Sequence, residues 1–223
     1  MKIDRDAVPF VGVGLVPAAV ALLRGNRRTA MAFGVLAAAL AAFFRDPDRR
    51  PDHSEPAGPD IVLAPADGRI MWAGPGQPDV APAGDWLQVS IFLSVTDVHI
   101  NRTPYGGRVE SVTHRPGRYR AAYSAESANE NERSEITVVR DLGGRSRTVV
   151  FRQVVGVMAR RVVTRVRVGD QLAAGQRVGL MRFGSRMDVF VDPSATLEVA
   201  VGERTVAGET VLARWPVQAQ AVG

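Results

Sequence analysis

Residues 165–191 read RVRVGDQLAAGQRVGLMRFGSRMDVFV, a succession of strand-like runs and turn residues that sets the expected architecture. Two β-type runs, RVVTRVRV at 161–168 and MDVFV at 187–191, border a segment in which glycine recurs at 169, 175, 179 and 184. Apolar and β-branched residues broken at short intervals by Gly, Asp and Gln indicate strands joined by tight turns. The same texture extends outward: IVLA at 61–64, WLQVSIFL at 86–93, RVESVTH at 108–114, SEITVV at 134–139 and RTVVFRQVVGVM at 147–158. No long helical period interrupts these runs, although 121–133 has room for a helical turn or a loop. The expectation is a mainly antiparallel β domain over residues 61–223.

The N-terminal part is different. Residues 7–23 (AVPFVGVGLVPAAVALL) and 29–44 (TAMAFGVLAAALAAFF) are apolar and separated by the basic turn RGNRR. Each falls slightly short of the ~20 residues that cross a bilayer upright. Arginines 24, 27 and 28 on one side of the second stretch, and 45, 49 and 50 on the other, would put positive charge on both faces of a full span. A membrane-associating helical hairpin dipping into one leaflet, residues 1–45, is therefore expected rather than two short spans. Asp4 and Asp6 spoil the basic start of a signal peptide. Residues 46–60, rich in Pro and Asp, read as a linker. The fold class expected is α+β.

Composition removes several chemistries. Lys2 is the only lysine, so no internal amine can carry pyridoxal phosphate, biotin or lipoate. Without cysteine there is no disulfide, thiolate nucleophile or cysteine metal site, and no metal is expected. A net charge of +5, almost all arginine, suits an anionic partner such as nucleic acid or acidic lipid. Nucleic acid fits poorly, because the arginines are scattered through strand-like segments without a recognition motif.

The pattern VxVGDxLxxGQxVG at 166–179 resembles the hammerhead hairpins of biotinyl and lipoyl carrier domains. That resemblance implies barrel-sandwich-like hairpins, but a carrier needs a lysine at its turn, and here the turn offers Gly184-Ser185. A serine hydroxyl lies within reach of the preceding carbonyl carbon, and glycine leaves that carbon unobstructed. Attack would exchange amide for ester. Elimination would then leave dehydroalanine, which hydrolyses to a pyruvoyl group and ammonia. A pyruvoyl ketone condenses with amines and acts as an electron sink.

FGSRMDVFV (183–191), FFRDPDR (43–49), VLAPADGRI (62–70), IFLSVTDVHINRTPYGGRVESVTHRPG (91–117) and NENERSEI (129–136) together resemble the short-form phosphatidylserine decarboxylase proenzymes. The resemblance implies cleavage between Gly184 and Ser185, with Ser185 becoming a covalent pyruvate cofactor. It further implies a heterodimer of chains 1–184 and 185–223, with assembly of that pair into a homo-oligomer as a family expectation. The activity implied is decarboxylation of phosphatidylserine through a Schiff base, at the cytoplasmic face of the cell membrane. Of the three histidines, His53 lies in the linker, and His99 in the family-like motif is the expected base for Ser185. Asp67 matches the family's acidic position; Asp97, two residues from His99 and on the same face of a strand, competes with it. Long-form members carry a second histidine where Arg102 stands, so His99 serves both maturation and decarboxylation here, or His114 or water assists. Arg102 and Arg115, with Arg118 and Arg120, are candidates for the lipid phosphate. Two alternatives stay open: a pyruvoyl decarboxylase of a soluble amino acid, and a non-catalytic, membrane-tethered carrier-like β module.

Overall fold

The computed structural model describes residues 2–49, 58–124, 126–157, 161–182 and 184–216. The chain divides into two compact units, 1–48 and 49–223.

In the first unit, helices α1 (Val8–Leu23) and α2 (Arg27–Phe43) form an antiparallel hairpin. Gly25, with φ of 75°, makes the reversal, and the Asn26 side chain caps α2 by accepting from the Thr29 amide at 3.2 Å. The helices meet through small residues. Gly14, Ala18 and Ala21 of α1 are buried, as are Ala30 and Ala37 of α2, and a Cβ on Gly14 would lie 2.7 Å from the Ala37 nitrogen. The larger apolar side chains, among them Val13, Leu15, Val16, Leu22, Met31 and Val35, face outward. Among the described residues one helical segment, Arg5–Leu23, is long and apolar enough to cross a membrane, with 19 residues and a mean hydropathy of 1.9.

The second unit is mostly antiparallel β, as the α+β expectation requires. Its main sheet has eight strands. In spatial order they are Gln171–Leu172, Gly107–Arg115, Arg133–Asp141, Ser146–Val155, Ser185–Val191, Leu87–Leu93, Gly68–Pro75 and Arg204–Thr205. Two three-stranded sheets accompany it: Val162–Thr164 with Arg177–Met181 and Ile100–Arg102, and Thr196–Leu197 with Val211–Arg214 and Ile61–Leu63.

The strand Ser185–Val191 has neighbours on both sides and no exposed residue. Met187, Val189 and Val191 point into the main core with Ile91, Leu93, Ile136, Val138 and Phe151. Each fully buried large aliphatic or aromatic side chain on this face contributes roughly 1.5–3 kcal/mol. Trp215 closes the core: its ring packs edge-on to Tyr105 at 5.4 Å, and its indole N–H donates to Asp192 at 2.8 Å. Among the described residues of 121–133 there is one helical turn, α3 (Ser127–Glu130).

Candidate active site

Gly184 precedes the Ser185–Val191 strand with φ of 74°, a left-handed conformation that a side chain would oppose. Ser185 then enters the sheet opposite Val155 on one side and Leu93 on the other. Its side chain is fully buried, and Oγ has no hydrogen-bond partner among the described residues. Leaving a buried hydroxyl unsatisfied costs about 1–3 kcal/mol, and such groups recur at reactive sites.

His99 stands just before the strand Ile100–Arg102 and is 2% exposed. Its Nδ1 lies 2.9 Å from the backbone oxygen of Asp97. A carbonyl only accepts, so Nδ1 carries the proton and Nε2 presents a lone pair. That lone pair accepts the Gly184 N–H at 3.2 Å. His99 and Gly184, 85 residues apart in the chain, are thus brought together by the fold.

A third backbone element crowds the same bond. A Cβ on Gly156 would fall 2.2 Å from the Gly184 carbonyl oxygen and 3.3 Å from the Ala122 Cβ. Only glycine at 156 leaves that carbonyl where it is. The segment around Ala122 is fastened to this region by the buried Asn131, whose Nδ2 donates to the Arg120 and Val155 carbonyls at 2.8 and 2.7 Å.

The acidic candidates are placed as follows. Asp97 lies in a turn, not a strand. Its Oδ2 accepts from the Ser94 amide and hydroxyl, both at 2.8 Å, and its Oδ1 pairs with Arg204 at 2.6 Å. It meets His99 through its backbone carbonyl, whereas same-face strand geometry would have offered the carboxylate. Asp67 accepts from the Ala207 amide at 2.8 Å and pairs with Arg49 at 2.7 Å.

The basic candidates are dispersed. Arg102 is 6% exposed and donates to the Gly175 carbonyl at 2.9 Å. Arg118 and Arg120 both pair with Glu130. Arg115, exposed at the end of its strand, lines a cavity of about 440 Å³ with Arg133, Arg152 and Glu135. Burial, together with the repulsion of Arg152 and Arg115, holds Arg133 below the ordinary arginine range. His114 is half exposed, 3.7 Å from Glu132, and His53 lies outside the described residues.

Sequence reasoning missed Gly156 and Asn131 as individual residues, although Asn131 falls within the motif NENERSEI. It also missed a charged network behind Ser185. Arg186 Nε donates to Asp188 Oδ1 at 2.7 Å, and Ser90 Oγ donates to the same oxygen at 2.6 Å. Both charged residues and Ser90 are buried. A strand of the form SRMDVFV shows its alternation but not that both faces are covered.

Comparison with known proteins shows the family. The family model described as phosphatidylserine decarboxylase matches residues 36–213. The phosphatidylserine decarboxylase proenzyme of Mycolicibacterium smegmatis is 44% identical over 210 residues, covering 92% of this chain and 86% of that protein. The proenzyme of Mycobacterium avium is 44% identical over 212 residues, covering 93% and 84%. That of Solibacter usitatus is 42% identical over 172 residues, covering 77% and 76%. With the matched region running across Gly184, Ser185 and His99, the chain belongs to the phosphatidylserine decarboxylase family.

Proposed function

We propose that this chain is a proenzyme that cuts itself between Gly184 and Ser185, converts Ser185 into a pyruvoyl group, and decarboxylates phosphatidylserine to phosphatidylethanolamine. The observation that carries the reading is the contact of His99 Nε2 with the Gly184 amide, beside a buried and unpartnered Ser185 hydroxyl. In the resting precursor the histidine lone pair holds the Gly184 N–H. Exchanging that bond for the Ser185 O–H makes His99 the general base for attack on the Gly184 carbonyl.

The attack forms a C–O bond and breaks the C–N bond, giving an ester. Elimination releases the Gly184 carboxylate and leaves dehydroalanine at 185. One water then expels ammonia and leaves the ketone. The tautomer is held throughout by the Asp97 carbonyl, so His99 keeps a face able to take and return protons. Asp67 is the acid of this reading by its match to the family position, and Arg49 and the Ala207 amide fix its carboxylate.

A pyruvoyl ketone at 185 supplies an electron sink for loss of carbon dioxide from a bound amino acid headgroup. Arg102 and Arg115 are the residues proposed for the lipid phosphate. The apolar helical hairpin favours a lipid over a soluble amino acid as substrate, since it would hold the catalytic unit at the membrane that contains the lipid. The cell membrane, at its cytoplasmic face, is the proposed location. The cleaved chains 1–184 and 185–223 stay paired, and copies of that pair are proposed to assemble.

Intact masses of the detergent-solubilised protein test the reading beside Ser185→Ala. Two wild-type chains split after Gly184 are expected, the smaller lighter by one ammonia than a serine-started peptide, with Ser185→Ala uncut. The wild type should release carbon dioxide from phosphatidylserine vesicles and not from free serine. A single uncut chain in both samples would remove the electron sink and leave the carrier-like binding module.

A further inference from the structure

The face of the Ser185–Val191 strand turned away from the main core carries Arg186, Asp188 and Phe190. Arg186 and Asp188 are 3% and 0% exposed. Besides its bond to Asp188, Arg186 donates from Nη2 to Ser90 Oγ at 3.1 Å. Ser90 also accepts from Gln88 Nε2 at 2.9 Å, and Gln88 in turn is bonded to Gln77. The Ser90 hydroxyl is therefore saturated, one bond given and two received.

We propose that Arg186 is a positioning residue that, through Asp188 and Ser90, pins the chain end created by cleavage and so keeps residue 185 beside His99. This inference rests on the self-cleavage proposed above. A pyruvoyl end has no ammonium with which to tether itself. Before the cut, residue 185 is held from both directions along the chain. Afterwards only the strand pairing and the side chain next to it remain. Arg186 and Asp188 belong to the small chain, whereas Ser90 and Gln88 belong to the large one, so the network spans the two products.

A buried ion pair is a poor device for stability, since apolar residues of similar volume usually serve as well or better. Its placement on the residue immediately after the cut fits a role in orientation. Fixing Arg186 on the reverse face obliges residue 185 to project toward the opposite one.

The test is Arg186→Met/Asp188→Leu, which removes both charges together and fills their space. Masses, kinetics on phosphatidylserine vesicles and amide hydrogen exchange are read on the purified mature protein. The expected result is normal processing, an unchanged KM, a kcat at least tenfold lower, and at least tenfold faster exchange at residues 186–188. In the uncut Ser185→Ala background the same pair of substitutions should leave that exchange unchanged, because an intact chain needs no pin. Faster exchange in both backgrounds would reduce the network to a purely structural role and overturn the proposal. So would a kcat within twofold of wild type. Should the double variant fail to fold, Ser90→Ala cuts only the link to the large chain. It should lower kcat several-fold at constant KM, and an unaltered kcat would overturn the pin alone. A wild type that never splits would remove the self-cleavage and the pin together.

Discussion

Gly156→Ala tests the geometry of the Gly184 carbonyl, at which cleavage is proposed. The new methyl would lie 2.2 Å from the Gly184 oxygen, where carbon and oxygen in contact need about 1 Å more. The Ala122 Cβ, at 3.3 Å, blocks retreat in that direction. The clash is relieved by moving the Gly184 carbonyl or by parting Val155 from Ser185. Overpacking of this kind costs roughly 1–3 kcal/mol of stability. In a chain of this size that lowers the melting temperature by about 2–4 °C per kcal/mol. Displacing a reacting carbonyl by ~1 Å costs on the order of 10²-fold in rate. Appearance of the small chain after pulsed cell-free synthesis should therefore slow about a hundredfold. Gly179→Ala is the control: its methyl would meet the Val163 oxygen at 1.9 Å, a somewhat closer clash directed at another carbonyl. It should be destabilised comparably and processed at nearly the wild-type rate. Equal slowing in the two variants, or processing of Gly156→Ala within threefold of wild type, would refute the argument.

Tyr105 donates to the Pro59 carbonyl at 2.6 Å, and burial is the main cause of its pKa being raised from 10.0 to about 12. The fold favours the neutral phenol, so this contribution is intact below the usual value of about 10 and is lost as pH climbs toward 12. Tyr105→Phe should be about 1 kcal/mol less stable at pH 8 through the lost hydrogen bond. Its stability should fall less steeply across that alkaline window, as read by urea unfolding, and parallel curves would contradict the assignment. Gly14→Leu should separate α1 from α2, because even a methyl there meets the Ala37 backbone at 2.7–2.8 Å. Protease nicking in the 24–28 turn should then quicken severalfold in detergent, while the proposed self-cleavage is unaffected.

Much of the β unit was readable because alternation and turn residues coincide with strand ends. WLQVSIFL and SEITVV match the strands Leu87–Leu93 and Arg133–Asp141 to within a residue or two. RVVTRVRV reads as one run but pairs only over Val162–Thr164. Beyond it, Arg165 bonds singly to Val178, and the Asp170 carboxylate accepts the Arg167 amide to start a turn. Local propensity carries no information about where a partner strand ends. GRIMWAGP was not recognised as a strand because Gly and Pro dilute its pattern, yet Gly68–Pro75 lies against Leu87–Leu93. A Cβ on Gly68 would strike the Phe92 carbonyl at 2.2 Å, so this glycine serves close strand packing.

The site divides in the same way. Ser185, Gly184 and His99 were legible from the chemistry and motif, and the fold places His99 and Gly184 in direct contact. The acceptor of the His99 proton was not legible, because it is a main-chain oxygen that every residue type supplies equally. Nor was Gly156, whose requirement exists only against a carbonyl from a distant strand.

The strand that opens at Ser185 is the fifth of eight, hydrogen-bonded on both flanks to segments preceding it in the chain. Later parts of the same C-terminal segment pair with Gly68–Arg69 and with Ile61–Leu63. Under the proposed cleavage, the two products are therefore interlaced at three separate places and can part only by dismantling the sheet. Under that cleavage these strand pairings, and not covalent continuity, would hold the molecule together. Once cut, the protein has lost the connection that guided its own folding, so heat or denaturant should destroy it irreversibly, and its working lifetime becomes a matter of kinetics.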